Sequence, residues 1–491
     1  MPHTQTGLPM PTLNRRMANG IVWMVLARLI DRGIGIVSTL ILARLLVPGD
    51  FGLVAMATAV GGVLDLMSAF SFDLALIQNA NATRRHYDTV WTFNVIFGLV
   101  CGCALLALAG PAAAFYSEPR LAMVMCVLSL SYFVGGFGNV GVVAFRKELN
   151  FRQEFNFVLA RRVVTFVVTI GAAFVLYSYW ALLIGMTVGR IVGVAISYRM
   201  NSYRPRLDLS AASELFHFSK WLLVNNVLFF LLHDGCTFII GRLFGANELG
   251  IYAISYEISN LPSTELVAPI NRATLPGFSK MQDAAEISLS YLKLLGTIST
   301  IILPVGLGIA AVAQPLVLAL LGAKWMDAIP LIQLMAIHGA IGATQGNNST
   351  VWMALGKPRN TTLLAGGFLL VLFPALYFLL KAVGIVGAGY AYLLATACTL
   401  PYTIVVTKRL LGFSWSAWLT RLWRPAASVA LMYAGVQLLD STLHAAAPLL
   451  RLMIDAGAGA LLYVLLLLAM WQLAGRPDGA ERYLLDKALR R

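Results

Sequence analysis

Three charged side chains stand in an apolar run where a membrane helix should carry none. Arg28, Asp31 and Arg32 interrupt the run that begins near Gly20. At about 100° per residue, Arg28, Arg32, Gly35 and Thr39 fall on one face, so a polar stripe crosses an otherwise oily helix. An ionised side chain at mid-bilayer costs at least about 2.5–3.5 kcal/mol, so two arginines within one turn must face water, partners or a ligand. Two readings follow. In the first, Asp31 neutralises the pair as a buried cluster and Arg28 snorkels to the interface. In the second, the pair is an anion site in a cavity, because guanidinium forks suit phosphate oxygens and one carboxylate leaves a net positive charge.

The elements that position these residues are set by an internal repeat. The stretch Ala43 to Ala55 reads ARLLVPGDFGLVA, and GRLFGANELGIYA runs from Gly241 to Ala253 without a gap. Arg44 meets Arg242, Asp50 meets Glu248 and Gly52 meets Gly250, an offset of 198 that also carries Trp23 onto Trp221 and Thr39 onto Thr237. Each copy joins a first and a second membrane helix: Pro-Gly or Ala-Asn breaks the helix, and the acid and glycine start the next. At the same offset Arg28 becomes Asn226, Arg32 becomes Phe230 and Gly35 becomes His233, with Asp234 beside it. The eighth helix adds Glu257, Glu265 and Arg272, and the second adds Asp65 and Asp73. For each acid alone, helix packing and transport are equally good readings. Their concentration on the first two helices of each half is informative, since transporter sites commonly lie at repeat interfaces near the midplane.

With 59% hydrophobic and 12% charged residues in 491, and a mean hydropathy of +0.78, the chain cannot hide its apolar surface in a soluble core. It reads as an all-α integral membrane protein, since the apolar runs are too long for outer-membrane strands of about ten residues. We expect about fourteen helices: two parallel six-helix repeats plus two C-terminal helices. In the first half they fall near 20–42, 51–77, 87–109, 121–145, 157–178 and 180–200. The second half repeats them near 216–240, 250–277, 288–313, 327–355, 360–380 and 384–407, and two more follow near 418–439 and 451–473. The expected organisation is a tail at 1–19, a first lobe at 20–200, a linker at 201–215, a second lobe at 216–410, the last two helices at 411–475 and a tail at 476–491. Copies in one orientation must be separated by an even number of spans, and six fit the offset.

The formal charge of +14 would suggest nucleic acid in a soluble protein, but here the basic residues sit in alternate loops. Arg15 and Arg16, Arg84 and Arg85, Arg146 to Arg152, Arg204 and Arg206, Lys357 and Arg359, Lys408 to Arg424 and the C-terminal tail lie on one side. The other side holds little beyond Arg44, Arg120, Arg242, Lys324, Lys381 and Arg451. By the positive-inside rule both termini are expected to be cytoplasmic, in a multi-pass membrane protein. No cleavage signature precedes the first helix, so it is expected to be retained. No loop is long enough for an extramembrane catalytic domain, so function must live inside the bundle.

Smaller features take their plainer readings. Arg161 and Arg162 are expected to be interfacial anchors, Arg190 fits either role, and His338 is a packing histidine. The polar run Gln345 to Ser349 lines a cavity or breaks its helix. The five cysteines lie in apolar stretches without metal-ligand spacing and read as small packing residues. Gly356-Lys357-Pro358 lacks the glycine spacing and the Ser/Thr of a phosphate loop, so ATP hydrolysis has no support. No metal, cofactor or nucleophile triad is expected.

Five stretches together resemble a known family. LARLLVPGDFGLVAMAT follows the first helix, AFRKELNFRQEF the fourth, and YSYWALLIGMTVGR lies at the sixth. GRLFGANELGIYAISYEI with PINRATLPGFSKMQ crosses the seventh and eighth, and GIVGAGYAYLLAT lies at the twelfth. Over about residues 15 to 410 the chain resembles the Wzx-like polysaccharide transporters, the oligosaccharide flippases of the multidrug/oligosaccharidyl-lipid/polysaccharide exporter superfamily. The resemblance implies two six-helix lobes around a central cavity. It implies transfer of undecaprenyl-diphosphate-linked oligosaccharide between leaflets, with basic residues receiving the diphosphate; Arg28 and Arg32 match that region, and Arg272 is a weaker match. Membrane lipids, a polysaccharide polymerase and a chain-length regulator are the expected partners, and, since no nucleotide site is present, a proton or sodium gradient acting through the intramembrane acids is the expected driving force.

A drug or cation antiporter of the same superfamily is the main alternative, with Asp31, Asp65, Asp73, Glu257 and Glu265 as cation sites. Paired arginines disfavour a cationic substrate. A polymerase or lipid-linked glycosyltransferase would need a large catalytic loop, and none is present. A scramblase or a structural role is the remaining alternative.

Overall fold

Apolar runs of this length in a bilayer must satisfy their backbone groups internally, and the chain does so with helices. The computed structural model describes residues 10–68, 76–77, 82–148, 150–281, 283–443, 447–477, 479 and 481–482, with only the backbone described for 10–22, 213–226 and 229. Among these residues every regular element is a helix. In chain order the long ones are α1 (Met10–Leu45), α2 (Pro48–Ser68), α3 (Arg84–Tyr116), α4 (Arg120–Gly136), α5 (Phe151–Leu176), α6 (Trp180–Met200) and α7 (Ala212–Pro262). There follow α8 (Ala268–Lys280), α9 (Ala284–Ala311), α10 (Ala328–Ala354), α11 (Arg359–Val383), α12 (Val386–Leu411), α13 (Trp415–Thr442) and α14 (Pro448–Leu473). Among the described residues, eight helices are long and apolar enough to cross a membrane. Helix α4 and the short helix Val140–Lys147, bent by 66°, make a ninth. The others that reach spanning length, α1, the arms of α7 with α8, α10 and α13, carry more polar or charged residues.

The repeated turn has a physical counterpart in both copies. Helix α1 stops at Leu45, and α2 starts on Pro48, whose missing N–H is no loss in a first turn. The Asp50 side chain, itself buried, accepts a hydrogen bond from the Val47 N–H at 3.2 Å. In the second copy the residue 198 after Val47 is Gly245, and it breaks α7 into two arms with φ 79° and ψ −170°. Only glycine takes that conformation without strain.

The chain divides into two compact units, Met1–Leu249 and Gly250–Arg491. Within the first, α3 packs on α4, α5 on α6, and α4 on α6; within the second, α9 packs on α10, α11 on α12, and α10 on α12. The same pairings recur, as two copies of one six-helix plan require. The last pair, α13 and α14, packs together and against α9.

Residues 201–209 between α6 and α7 are non-helical, and side chains of α3 hold them. Asp88 accepts from the Tyr203 hydroxyl and, at 2.9 Å, from the Arg206 N–H, while Thr92 Oγ1 accepts from the Asp208 N–H at 3.0 Å. Burial, with the Asp88 carboxylate beside it, pushes the Tyr203 hydroxyl up from its ordinary pKa.

The expected helix boundaries shift in two places that bear on function. The fifth helix begins at Phe151 rather than near 157, because Asn150 caps it and accepts from the Gln153 N–H. The fourth is not continuous from 121 to 145: it breaks after Gly136, and Asn139 opens the bent continuation by accepting from the Gly141 N–H at 2.8 Å.

Candidate functional site

The earlier start of α5 changes what its arginines are. Arg161 and Arg162 lie about three turns inside the helix instead of at its end, so they are not the interfacial anchors the sequence suggested. Arg190 lies mid-way along α6. All three line one cavity of about 520 Å³ in the first unit, walled by residues of α1, α2, α4, α5 and α6.

Glycines make the room. On α6, Gly185, Gly189 and Gly193 recur every four residues and form one flat face. Thr169, Thr165 and Arg161 of α5, also four apart, fill it. A Cβ on Gly185 would stand 1.8 Å from Thr169 Oγ1, one on Gly189 2.3 Å from Thr165 Oγ1, and one on Gly193 3.0 Å from Arg161 Cδ. The stem of Arg161 is thus laid along a slot in the neighbouring helix. Arg190 runs past Gly135 of α4, where an added Cβ would lie 3.1 Å from its Cδ, and the Arg162 guanidinium lies over Gly35 of α1, at 2.6 Å.

Two carboxylates share the cavity wall. Asp31 pairs with Arg162 at 3.3 Å. Asp65 of α2 accepts from the Tyr132 hydroxyl, which rests over Gly61 one turn earlier on the same helix. Asp65, Ser131, Tyr132, Gly135 and Arg190 also border an adjoining cavity of about 220 Å³ that reaches Asn94 and Phe97. Ser131 and Thr187 are joined across α4 and α6 at 3.1 Å. Three guanidiniums face two carboxylates, so the ionised lining is net cationic. Such a lining offers several N–H forks to a phosphate or carboxylate and repels a cation.

The sequence-derived candidates distribute unevenly around this site. Asp31 and Asp65 line it. Arg28 and Arg32 flank Asp31 on α1, Arg28 exposed and Arg32 half-buried, and neither is in the cavity wall. Asp31 therefore pairs with an arginine of another helix rather than serving only its neighbours. Asp73 lies outside the described residues, and Asn226 is placed by its backbone alone on α7. His233 is exposed and Asp234 half-buried on the same helix. In the second unit Glu257 is half-buried, and Glu265 lies in a π-helical turn, Ser263–Val267, between α7 and α8. Arg272 is exposed on α8, and its Nε donates to the Ala268 carbonyl at 3.3 Å. His338 is enclosed, its Nδ1 2.6 Å from Thr396 Oγ1 and its ring 5.0 Å from that of Tyr392, a packing role as expected. The run 345–349 does not break α10: Asn348 Oδ1 accepts from Tyr291 at 2.7 Å and from Thr407 at 3.0 Å.

A model of the family described as polysaccharide biosynthesis protein matches residues 41–330. The chain belongs to that family. It is 26% identical to the lipopolysaccharide biosynthesis protein WzxC of Escherichia coli K12, over 84% of this chain and 85% of that one. It is 25% identical to the succinoglycan biosynthesis transport protein ExoT of Rhizobium meliloti, over 67% of this chain and 68% of that one. Among solved structures it is similar to the lipid II flippase MurJ in an inward closed conformation, with a TM-score of 0.75 over 93% of this chain and 100% of that one. At 12% identity this last likeness concerns the fold. The chain is a Wzx-like polysaccharide transporter, a multi-pass membrane protein and not an enzyme.

Proposed function

We propose that this transporter moves undecaprenyl-diphosphate-linked oligosaccharide repeat units across the bacterial inner membrane, for exopolysaccharide, capsule or O-antigen synthesis. The observation that carries the reading is the net cationic cavity in which Arg161, Arg162 and Arg190 converge. A lipid tail can remain in the bilayer while its anionic, sugar-bearing head crosses through a wet cationic cleft, because guanidiniums replace the water that the phosphates give up. Arg28 and Arg32, within a turn of Asp31 on α1, are the adjoining contacts for the same head, and Arg272 on α8 is a further diphosphate candidate on its sequence match alone. The transport cycle is alternating access, driven by a proton or sodium gradient through intramembrane carboxylates such as Asp65 and Glu257. Both termini face the cytoplasm, and a polymerase and a chain-length regulator receive the product. A drug or cation antiporter fits less well, since a cationic substrate would meet more guanidiniums than carboxylates.

Export and membrane abundance, measured together, test the arginines of α1. If Arg32 contacts the diphosphate, Arg32→Ala abolishes export while the protein still inserts, and Arg32→Lys recovers part of it, keeping the charge without the planar fork. If the residue only balances Asp31, abundance falls instead and adding Asp31→Asn restores it. Normal export by a stably inserted Arg28→Ala, Arg32→Ala protein confines diphosphate binding to the cavity arginines.

A further inference from the structure

The C-terminal helix pair holds a charge cluster that the transport reading does not use. Asp440, near the end of α13, and Arg451, four residues into α14, face each other across the hairpin. Arg451 Nε donates to one oxygen of Asp440 and Nη2 to the other. One turn further along α14, on the same face as Arg451, stands Asp455. Its side chain is wholly buried at 0% exposure, and neither of its oxygens receives a hydrogen bond from any protein donor. Its carboxyl meets Asp440 instead, an acceptor facing an acceptor. Arg451 and Asp440 are themselves only 5% and 6% exposed.

Two buried carboxylates share one guanidinium, and the fork of that guanidinium is already taken by Asp440. With both acids ionised the cluster would hold two carboxylates in contact, one of them with neither oxygen hydrogen-bonded, shut off from water. The segments packed against this end of the pair, from Leu303 through the turns to Leu321, have no ionisable side chain. Along α9 the charged groups Glu286 and Lys293 lie at the opposite end, as do Arg421, Arg424 and Glu481 for the helix pair. The nearest other titratable groups on the pair are Tyr433 and Tyr463, two turns away, and the Tyr463 hydroxyl donates to the Thr300 carbonyl. His444 belongs to the hairpin and lies outside the described residues.

We propose that Asp440 and Asp455 form a proton-binding site, sharing one proton in a hydrogen bond that Arg451 steadies from the Asp440 side. The proton makes one acceptor into a donor and brings two acids and one arginine to neutrality. Its loss sets two carboxylates against each other inside the hairpin, so the packing of α13 on α14 depends on its being held. The site stands on its own geometry, whether or not the chain carries a lipid-linked sugar.

Infrared difference spectroscopy of the purified full-length protein in lipid tests this. In the wild-type-minus-Asp455→Asn spectrum at neutral pH, we expect the band of a protonated carboxyl, lost when the wild type is made alkaline. Asp440→Asn removes the same band, because Asp455 then ionises beside a freed Arg451; His444→Gln keeps it. Asparagine imitates the protonated form, so Asp455→Asn is expected to fold, and the alkaline titration of the wild type reads the site without any substitution. Carboxylate bands alone in the neutral difference spectrum would overturn the proposal. So would a sodium-dependent shift of those bands with both acids ionised, which would assign a metal cation to the site.

Discussion

The guanidinium of Arg162 lies across Gly35 of α1, its Nη2 2.6 Å from where a Cβ on that glycine would stand, and this placement brings it to Asp31. A side chain at position 35 must therefore displace the arginine. Because the displaced atoms are the far end of a flexible chain, the protein has a cheap way to accommodate the change. Gly35→Val is expected to leave membrane abundance within about twofold of wild type while lowering export about tenfold, an effect equivalent to about 1.4 kcal/mol of lost binding. Abundance and export from one culture separate the two effects, and equal losses in both would mean that Gly35 serves packing alone.

The glycine face of α6 is less forgiving. At Gly189 an added Cβ meets Thr165 Oγ1 at 2.3 Å, and this short side chain on a neighbouring helix has little room to move. Overpacking of this kind costs about 1–3 kcal/mol. Gly189→Leu is expected to lower the thermal unfolding midpoint of the purified protein, and adding Thr165→Ala should recover part of the loss.

Between α3 and α4, outside the helices, Glu118 accepts from Arg120 Nε at 2.8 Å and Nη2 at 2.9 Å. These bonds hold its carboxyl below the ordinary value of 4.5. A lowered folded-state value stabilises the protein fully above about pH 4.5, and the contribution fades as pH falls through that lowered value. Since Arg120 is 53% exposed, screening leaves only about 0.2–0.5 kcal/mol. Glu118→Gln should therefore lower the unfolding midpoint slightly at neutral pH, and the difference should close as the pH falls through that lowered value. A gap that widened toward acid would contradict the pairing.

The proposed orientation, with both termini in the cytoplasm, follows from the distribution of Lys and Arg and is open to a direct test. Reporter fusions after Arg491, at Asn201 and at Ser117 are expected to report cytoplasmic, cytoplasmic and periplasmic positions. A periplasmic signal from the first would reverse the orientation.

Much of the fold was legible because the chain states its plan twice. The turn after α1 and a break in its second copy are recognisable from thirteen paired residues, and the even spacing of spans follows, but the second break falls at Gly245 and not at the Ala246-Asn247 pair, which stays helical. The cavity was half legible. Asp31 and Asp65 stand out as charges in apolar helices, but the apolar run alone puts Arg161 and Arg162 near a helix end, because the Asn150 cap starts the helix six residues before that run. Their real signal was the four-residue spacing of Thr169, Thr165 and Arg161 against Gly185, Gly189 and Gly193, which is visible only once the two helices are known to be neighbours. Arg451 was read as an ordinary loop charge for a similar reason. Its partner Asp440 lies on the other helix of the hairpin, and hydropathy carries no information about which charges meet.

The central claim, that a cationic cavity carries the diphosphate-linked head, is tested most directly by flipping in proteoliposomes. The accessibility of an undecaprenyl-diphosphate-linked oligosaccharide in the outer leaflet would be followed over time for the wild type and for Arg161→Ala, Arg190→Ala. The wild type should move the lipid well above the protein-free rate. The double variant, reconstituted to the same density, should lose at least about tenfold of that rate, a transition-state loss of about 1.4 kcal/mol or more. Transport by the double variant at the wild-type rate would contradict the account.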